Sequence, residues 1–140
     1  MNQGLIALWI RGLCLHRVGR IEEAEASHRK ALAVEPHDRW NYPALGYLLA
    51  QMGRKEQARQ IVNELTREHE KGKPVCYSVA LVLTGLGEKD EALTWLERSA
   101  AAGESSIAFL GVEKRFESLH TEQRFAALLK SRGSRQQVSS

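Results

Sequence analysis

The chain has 140 residues, enough for one domain with a buried core, and its low aromatic content of 6% favours close helix packing over a sheet. Twenty basic and 17 acidic side chains give a net charge of only +3, and their alternation along the sequence argues against a nucleic-acid footprint. The apolar run over residues 5–10 is too short to span a membrane and lacks the flanks of a signal peptide, so we expect no membrane association.

A step of 34 residues recurs along the chain and relates small or apolar residues to one another. The related sets are Gly19, Gly53 and Gly87; Ala24, Ala58 and Ala92; Gly12, Gly46 and Ala80; Leu15, Leu49 and Leu83; and Leu8, Tyr42 and Cys76. A fixed period of this length, carried by paired helical segments, indicates a stacked helix-turn-helix array.

The first repeat covers residues 5–38, with one helix over 5–18 and a second that starts near Ile21 and stops before Pro36. The second repeat covers residues 39–72. Because proline is tolerated only in a first turn, Pro43 predicts a late helix start with Asn41 as a possible N-cap. That helix ends at Gly53, and its partner is predicted over 55–69.

The third repeat covers residues 73–106, opens at Pro74 and ends at Gly103. The period then fails, because charged residues occupy positions that should be apolar. We expect a capping segment over 107–132, with a turn around Phe116 and Leu119 and an amphipathic helix from Glu122 to about residue 131. The array therefore spans 1–132, and residues 133–140 are predicted to be a disordered tail.

No group of residues predicts catalysis, a metal site or a cofactor. Cys14 and Cys76 have no metal-ligand spacing, and we expect both to be buried free thiols in a reducing cytoplasm. His16 lies two residues from Cys14 on one helix, so the two side chains point apart. The sequence contains no phosphate-binding glycine loop after a strand. We therefore expect a protein that is not an enzyme.

The repeats resemble the tetratricopeptide family. The Leu45-Gly46 pair, the alanines at the helix crossings and the closing Pro36 match that family's pattern position by position. The resemblance implies an all-α, right-handed α-α superhelix of three helix pairs plus a C-terminal capping helix. It also implies a non-enzymatic scaffold for a protein or peptide partner.

In this family the first helices line a concave groove that binds a peptide or a helix. The corresponding residues here are Trp9, Leu13, His16, Arg17, Trp40, Ala44, Tyr47, Tyr77 and Leu81. Two alternatives remain open: Trp9 and Tyr77 pack between helices, or the chain's own tail fills the groove. The family's chaperone-binding branch clamps a terminal carboxylate, but the matching positions here, which include Pro74 and Ser78, cannot supply those bonds.

The string from Arg115 to Leu119, followed by Arg124-Phe125, resembles the closing segment of tetratricopeptide regions in bacterial multidomain signalling proteins. That resemblance implies an upstream kinase, cyclase or DNA-binding domain, although the segment could equally cap the last repeat and do nothing else. An RNA-reading helical repeat and a purely structural or dimerisation segment are the alternative functions. Dimerisation would use the N-terminal helix, where we expect an apolar edge formed by Leu5, Ile6, Leu8 and Trp9.

Overall fold

The computed structural model describes residues 3–139, with side chains from residue 3 to residue 131. Within that range the chain is helical and has no strand, as the sequence predicts. The α-helices are α1 (Gln3–Arg17), α2 (Ile21–Val34), α3 (Asn41–Gln51), α4 (Lys55–Glu70), α5 (Cys76–Gly85), α6 (Lys89–Ala102) and α7 (Gln123–Ser139). Two 3₁₀ helices, Ser105–Phe109 and Lys114–Leu119, lie between α6 and α7.

The first six helices form three pairs that stack in chain order. Helices α1, α3 and α5 each pack against their own partner, and α3 also packs against both α1 and α5. The second helix of each of the first two pairs contacts the first helix of the next. This is the packing of a helical repeat, and its right-handed superhelical twist stays a prediction.

The turn inside each pair has the same conformation. Gly19, Gly53 and Gly87 have φ angles of 85°, 81° and 80°, in the left-handed region that glycine enters at little cost. After each glycine a backbone N–H donates to the carbonyl of the leucine five residues earlier. These bonds are Arg20 to Leu15 at 2.9 Å, Arg54 to Leu49 at 2.9 Å and Glu88 to Leu83 at 3.0 Å. The 34-residue step is therefore repeated in the hydrogen bonds that end the first helices.

Small residues let the helices approach one another. Ala24, Ala58 and Ala92 are fully buried. Between the second and third pairs, a Cβ at Gly46 would lie 2.8 Å from Val82 Cγ2, so a larger residue would push α3 away from α5. The predicted role of these positions in close helix packing is confirmed.

The start of α3 differs from the expectation. Asn41 lies inside the helix, and the side chain that caps it is Asp38, three residues earlier. Asp38 Oδ2 accepts hydrogen bonds from the N–H groups of Trp40 at 3.2 Å and Asn41 at 2.8 Å. Asp38 can cap because its carboxylate precedes the helix, whereas the amide of Asn41 is needed elsewhere. Pro43 lies in the first turn, as predicted.

The amide of Asn41 links the first two repeats. Its Nδ2 donates to the carbonyl of Leu5 at 3.0 Å, and its Oδ1 lies 3.0 Å from Nδ1 of His28. The His28 ring lies directly against Gly12, where any Cβ would overlap it. Burial lowers the pKa of His28, and the charges of Arg115 and His16 lower it further, against the opposing effect of the Asn41 hydrogen bond.

The closing segment packs on the last pair. Its second 3₁₀ helix contacts α5, and α7 contacts α6. The side chains of Leu110, Phe116, Leu119 and Phe125 are fully buried in the main core. Helix α7 begins one residue after the predicted start and continues past the predicted end to Ser139. Residues 133–139 of the segment predicted to be a disordered tail thus continue α7, and their side chains are not described.

Two expectations about α1 need correction. Cys14 is an exposed thiol, whereas Cys76 is buried as expected. The predicted apolar edge is mostly covered, because Leu5 is buried and Ile6, Leu8 and Trp9 are partly buried by packing within the array. The large apolar side chain that α1 leaves exposed is Ile10, at 50% exposure.

Replacing Ala58 with tryptophan should destabilise the fold. Ala58 has no exposed surface, and overpacking a tight core costs roughly 1 to 3 kcal/mol or more. Thermal unfolding followed by circular dichroism measures the effect. The matched control is Ala101→Trp, because Ala101 is exposed on α6. Equal melting temperatures for the two variants would contradict a crossing at Ala58.

Acid should destabilise the protein through His28. Because the folded-state pKa of His28 lies below its ordinary value of about 6.5, the unfolded chain binds more protons between those two values. Stability should therefore fall as the pH drops below about 6.5. In His28→Asn, which keeps a hydrogen-bond donor but no titrating ring, the melting temperature should be lower and should depend less on pH. An unchanged slope in that variant would assign the acid sensitivity to other groups.

Candidate functional site

Two adjoining cavities open on the face formed by the first helices. The larger, of about 720 Å³, is called here the Tyr77 cavity and includes Trp9, Trp40, Tyr77 and Leu81 in its wall. The smaller, of about 530 Å³, is called the Leu13 cavity, and the wall residues that the sequence predicted for the groove are Trp9, Leu13, His16, Arg17 and Tyr47. Eight of the nine predicted groove residues thus line one continuous pair of cavities.

Ala44 is the exception among the predicted groove residues. Its side chain is 3% exposed and lines neither cavity, because it lies within the packed body of the array. The other residues converge because α1, α3 and α5 stack with their corresponding faces in register. The groove prediction for Ala44 is therefore wrong as a statement of position.

Aromatic contacts set the shape of both cavities. The rings of Trp9 and Trp40 lie 5.1 Å apart, tilted by 36°, so the two tryptophans pack on each other across α1 and the start of α3. Tyr47 packs beside His16 with ring centroids 5.8 Å apart. Trp9 is thus both a packing residue between elements and a wall of both cavities, which joins the two roles that the sequence left open.

A segment of the chain itself crosses this face. Residues 109–115, called here the crossing segment, run between Phe109 at the end of the first 3₁₀ helix and Arg115 in the second. Val112, Glu113 and Arg115 line both cavities. Leu110 and Phe116 are fully buried and anchor the crossing segment near its two ends. The groove is therefore divided in part by the chain's own closing segment.

Within the crossing segment, Glu113 and Arg115 form an ion pair with two hydrogen bonds. Arg115 Nε donates to Glu113 Oε1 at 2.9 Å and Nη2 donates to Oε2 at 3.0 Å. Burial would raise the pKa of Glu113, but the hydrogen bonds and charge of Arg115, with the charge of Arg17, hold it below its usual value. The pair is therefore ionised at neutral pH.

The charge of Arg115 also affects the pKa values of His16 and Tyr47 in the wall of the Leu13 cavity. Burial first, and then the charge of Arg115, lowers the pKa of His16, which favours a neutral imidazole in the Leu13 cavity. Burial raises the pKa of Tyr47, with Arg115 opposing that shift and Glu113 adding to it. Both effects place the crossing segment electrostatically against α1 and α3.

The sequence left open that the chain's own tail fills the groove, but it did not identify residues 109–115 or their ion pair as a wall of it. The signal was present, since the period fails where Glu113 and Lys114 replace apolar residues. An ion pair between residues two apart depends on the 3₁₀ turn that follows, which the repeat pattern does not predict. The wall residues His37 and Glu68, which lie 2.6 Å apart (Nδ1 to Oε1) in the Tyr77 cavity, were also missed.

The thiol of Cys76 lies close to an imidazole but is not activated by it. Cys76 Sγ lies 3.6 Å from His69 Nδ1, but burial and then the charge of Glu104 raise the pKa of the thiol to about 11. A thiol with that pKa is protonated at neutral pH and is a poor nucleophile. Among the residues searched there is no group of three or more His, Cys, Asp or Glu side chains that could hold a metal ion. The helices described include none long and apolar enough to cross a bilayer.

Glu104 holds α5 and hence Tyr77 in place. Its carboxylate is buried and accepts the N–H groups of Cys76 and Tyr77, each at 3.0 Å, and the hydroxyl of Ser99 at 2.8 Å. The first turn of α5 has no N-cap side chain of its own. A residue just after α6 therefore caps the start of α5 and positions one wall of the Tyr77 cavity.

Replacing Glu104 with alanine should lower the free energy of unfolding by roughly 2 to 4 kcal/mol, because several buried donors lose their acceptor. Glu104→Gln should cost less, since its carbonyl oxygen still accepts. Urea unfolding measures both variants. The control is Glu88→Ala, at an exposed N-cap position that makes no side-chain capping bond, where a change within about 0.5 kcal/mol is expected. A loss in Glu104→Ala no larger than in the control would disprove this capping role.

Comparison with known protein families agrees with this architecture. One family model described as Tetratricopeptide repeat matches residues 15–75, and a second with the same description matches residues 76–98. No curated protein matches the chain, and no solved structure matches it. The two matched regions adjoin and contain α2 to α5 whole and most of α6. The chain belongs to the tetratricopeptide repeat family.

Proposed function

We propose that this chain is a non-enzymatic, cytoplasmic protein-interaction module that binds a short apolar segment of a partner, as a peptide or a helix, on the face of α1, α3 and α5. Tetratricopeptide repeats are generally protein-interaction modules. The observation that carries the proposal is the convergence of eight predicted groove residues on two adjoining cavities. Concave sites lined by aromatic side chains are the usual form of binding sites.

Exposed apolar side chains at the cavity mouths support this proposal. Ile10 is 50% exposed beside the Leu13 cavity, Phe109 is 54% exposed beside the Tyr77 cavity, and Val112 is 78% exposed and lines both. Covering these side chains with a partner would remove apolar surface from water at roughly 25 cal/mol per Å². The crossing segment fills part of the groove, but both cavities remain open beside it.

The array is also proposed to be the C-terminal part of a larger signalling or regulatory protein. Support comes from the resemblance of the closing segment, which packs on the last helix pair through Phe116 and Phe125. In this reading the module links an upstream domain to the partner that binds the groove. The mass of the protein isolated from its native cell tests this reading, and a mass equal to that of the 140-residue chain would contradict it.

Tyr47→Ala should weaken partner binding while leaving the helices intact. Tyr47 is only partly buried and its ring forms the wall of the Leu13 cavity, so its removal costs contact area in the groove. The probes are 12-residue peptides that are selected from a displayed library for binding to the parent chain and synthesised with both termini blocked. Fluorescence anisotropy should show affinity lost by about tenfold, as for an interface hot spot. The control is Val34→Ala, which is exposed on α2 and lines neither cavity.

Trp9→Ala tests whether one side chain serves both packing and binding. Because Trp9 packs on Trp40 and lines both cavities, this variant should lose about 3 kcal/mol of stability as well as affinity. Equal binding by the parent and Tyr47→Ala, or selected peptides that bind elsewhere, would leave the face with a structural role and disprove the proposed function.

A further inference from the structure

The two cavities differ in charge. The Leu13 cavity has three basic side chains in its wall, Arg17, Lys114 and Arg115, and a single carboxylate, Glu113. In the Tyr77 cavity the charges nearly balance. Its wall contains the carboxylates of Glu35, Asp38, Glu68 and Glu113 and the basic groups of Arg39, Lys73 and Arg115. A bound segment therefore meets excess positive charge at one end of the groove only.

The excess charge belongs to Arg17 and Lys114. Arg115 is already paired with Glu113 through two hydrogen bonds, so that pair is nearly neutral from a distance. Arg17 and Lys114 are both exposed, and neither has a carboxylate within ion-pair distance among the side chains described. They line the Leu13 cavity together with Leu13 and therefore place two positive charges beside an apolar side chain.

Two hydrogen-bond donors in the same wall lack an acceptor. Trp9 Nε1 and Arg115 Nη1 are buried without a hydrogen-bond partner in the described part of the chain. Both residues belong to the wall shared by the two cavities. A buried N–H without an acceptor costs roughly 1 to 3 kcal/mol, so a ligand oxygen that reaches either donor after a small shift of the wall is favoured.

We propose that the partner of this groove is an acidic amphipathic segment that binds in one direction. A bulky apolar side chain enters the Leu13 cavity with one or two Asp or Glu side chains beside it, facing Arg17 and Lys114. A second apolar or aromatic side chain enters the Tyr77 cavity, where no net charge is required. The proposal rests on the proposed function and adds the chemistry and the direction of the bound segment.

In the experiment, a displayed random library of 12-residue sequences is selected for binding to the intact chain. The selected sequences are then synthesised with both termini blocked, and their affinity is measured by fluorescence anisotropy. The selected sequences should be enriched in Asp or Glu next to a large apolar residue. The double variant Arg17→Gln, Lys114→Gln should weaken their binding by about fivefold or more and should reduce its salt dependence. Circular dichroism checks that this variant remains folded.

The matched control is Lys55→Gln, Lys89→Gln. Both lysines are exposed at the starts of α4 and α6, and neither lines a cavity, so the net charge changes equally at a distance from the groove. Binding to the control variant should change by less than about twofold. If both double variants weaken binding equally, the effect is one of net charge, and the proposed direction is wrong.

The outcomes separate the two proposals. The selected peptides could be neutral and apolar, lose affinity for Tyr47→Ala and bind the Arg17→Gln, Lys114→Gln variant normally. That result would support the groove function and overturn the proposal that the partner is acidic. Selected peptides that are unaffected by any groove variant would overturn both. Each acidic residue of a selected peptide is then replaced with its amide. The replacement that locates the acidic end should weaken binding to the parent chain and should have little effect on binding to the Arg17→Gln, Lys114→Gln variant.

Discussion

The distance at which the helices cross is the constraint on which the rest of this structure depends. Ala24, Ala58 and Ala92 have no exposed surface, and a Cβ at Gly46 would meet Val82. A larger side chain at any of these positions would increase the spacing between helices, and the faces of α1, α3 and α5 would no longer be continuous. The cavities exist because those faces are in register, so the small residues shape a site that none of the crossing alanines lines.

The end of the array shows what happens when the period stops. Leu110 and Phe116 are fully buried against the last helix pair, whereas the residues between them include three charged side chains in a row, Glu113, Lys114 and Arg115, that do not enter the core. They cross the open face instead, where Glu113 and Arg115 neutralise each other. The segment that caps the core is thus also a wall of the candidate site, so capping and partial filling of the groove, which the sequence raised as separate possibilities, involve the same residues.

The ends of the first six helices could be predicted to within a few residues because steric limits on single positions set several of them. Glycines at φ near 80° end the first helices, and Pro43 can only lie in a first turn. The cap of α3 could not be predicted, because Asp38 and Asn41 are both good caps. The choice between them depends on the hydrogen bonds that the Asn41 amide forms with the Leu5 carbonyl and the His28 ring, which are distant in sequence. Glu104 was missed for a similar reason, since it caps a helix that begins 28 residues earlier in the chain.

The candidate site likewise has some features with local causes and others that depend on residues distant in the sequence. Helical periodicity and family position place Trp9, Tyr47 and Tyr77 on one face, and they do line the cavities. The uneven charge of the groove has no such local cause, because Arg17 at the end of α1 and Lys114 of the closing segment, nearly one hundred positions later, line the same cavity. Burial of apolar area would supply most of the affinity of such a groove, whereas opposite charges mainly speed association and set orientation. An array whose repeats are nearly equivalent gives a bound segment little reason to prefer one direction, and the charges of its irregular closing segment can supply that preference.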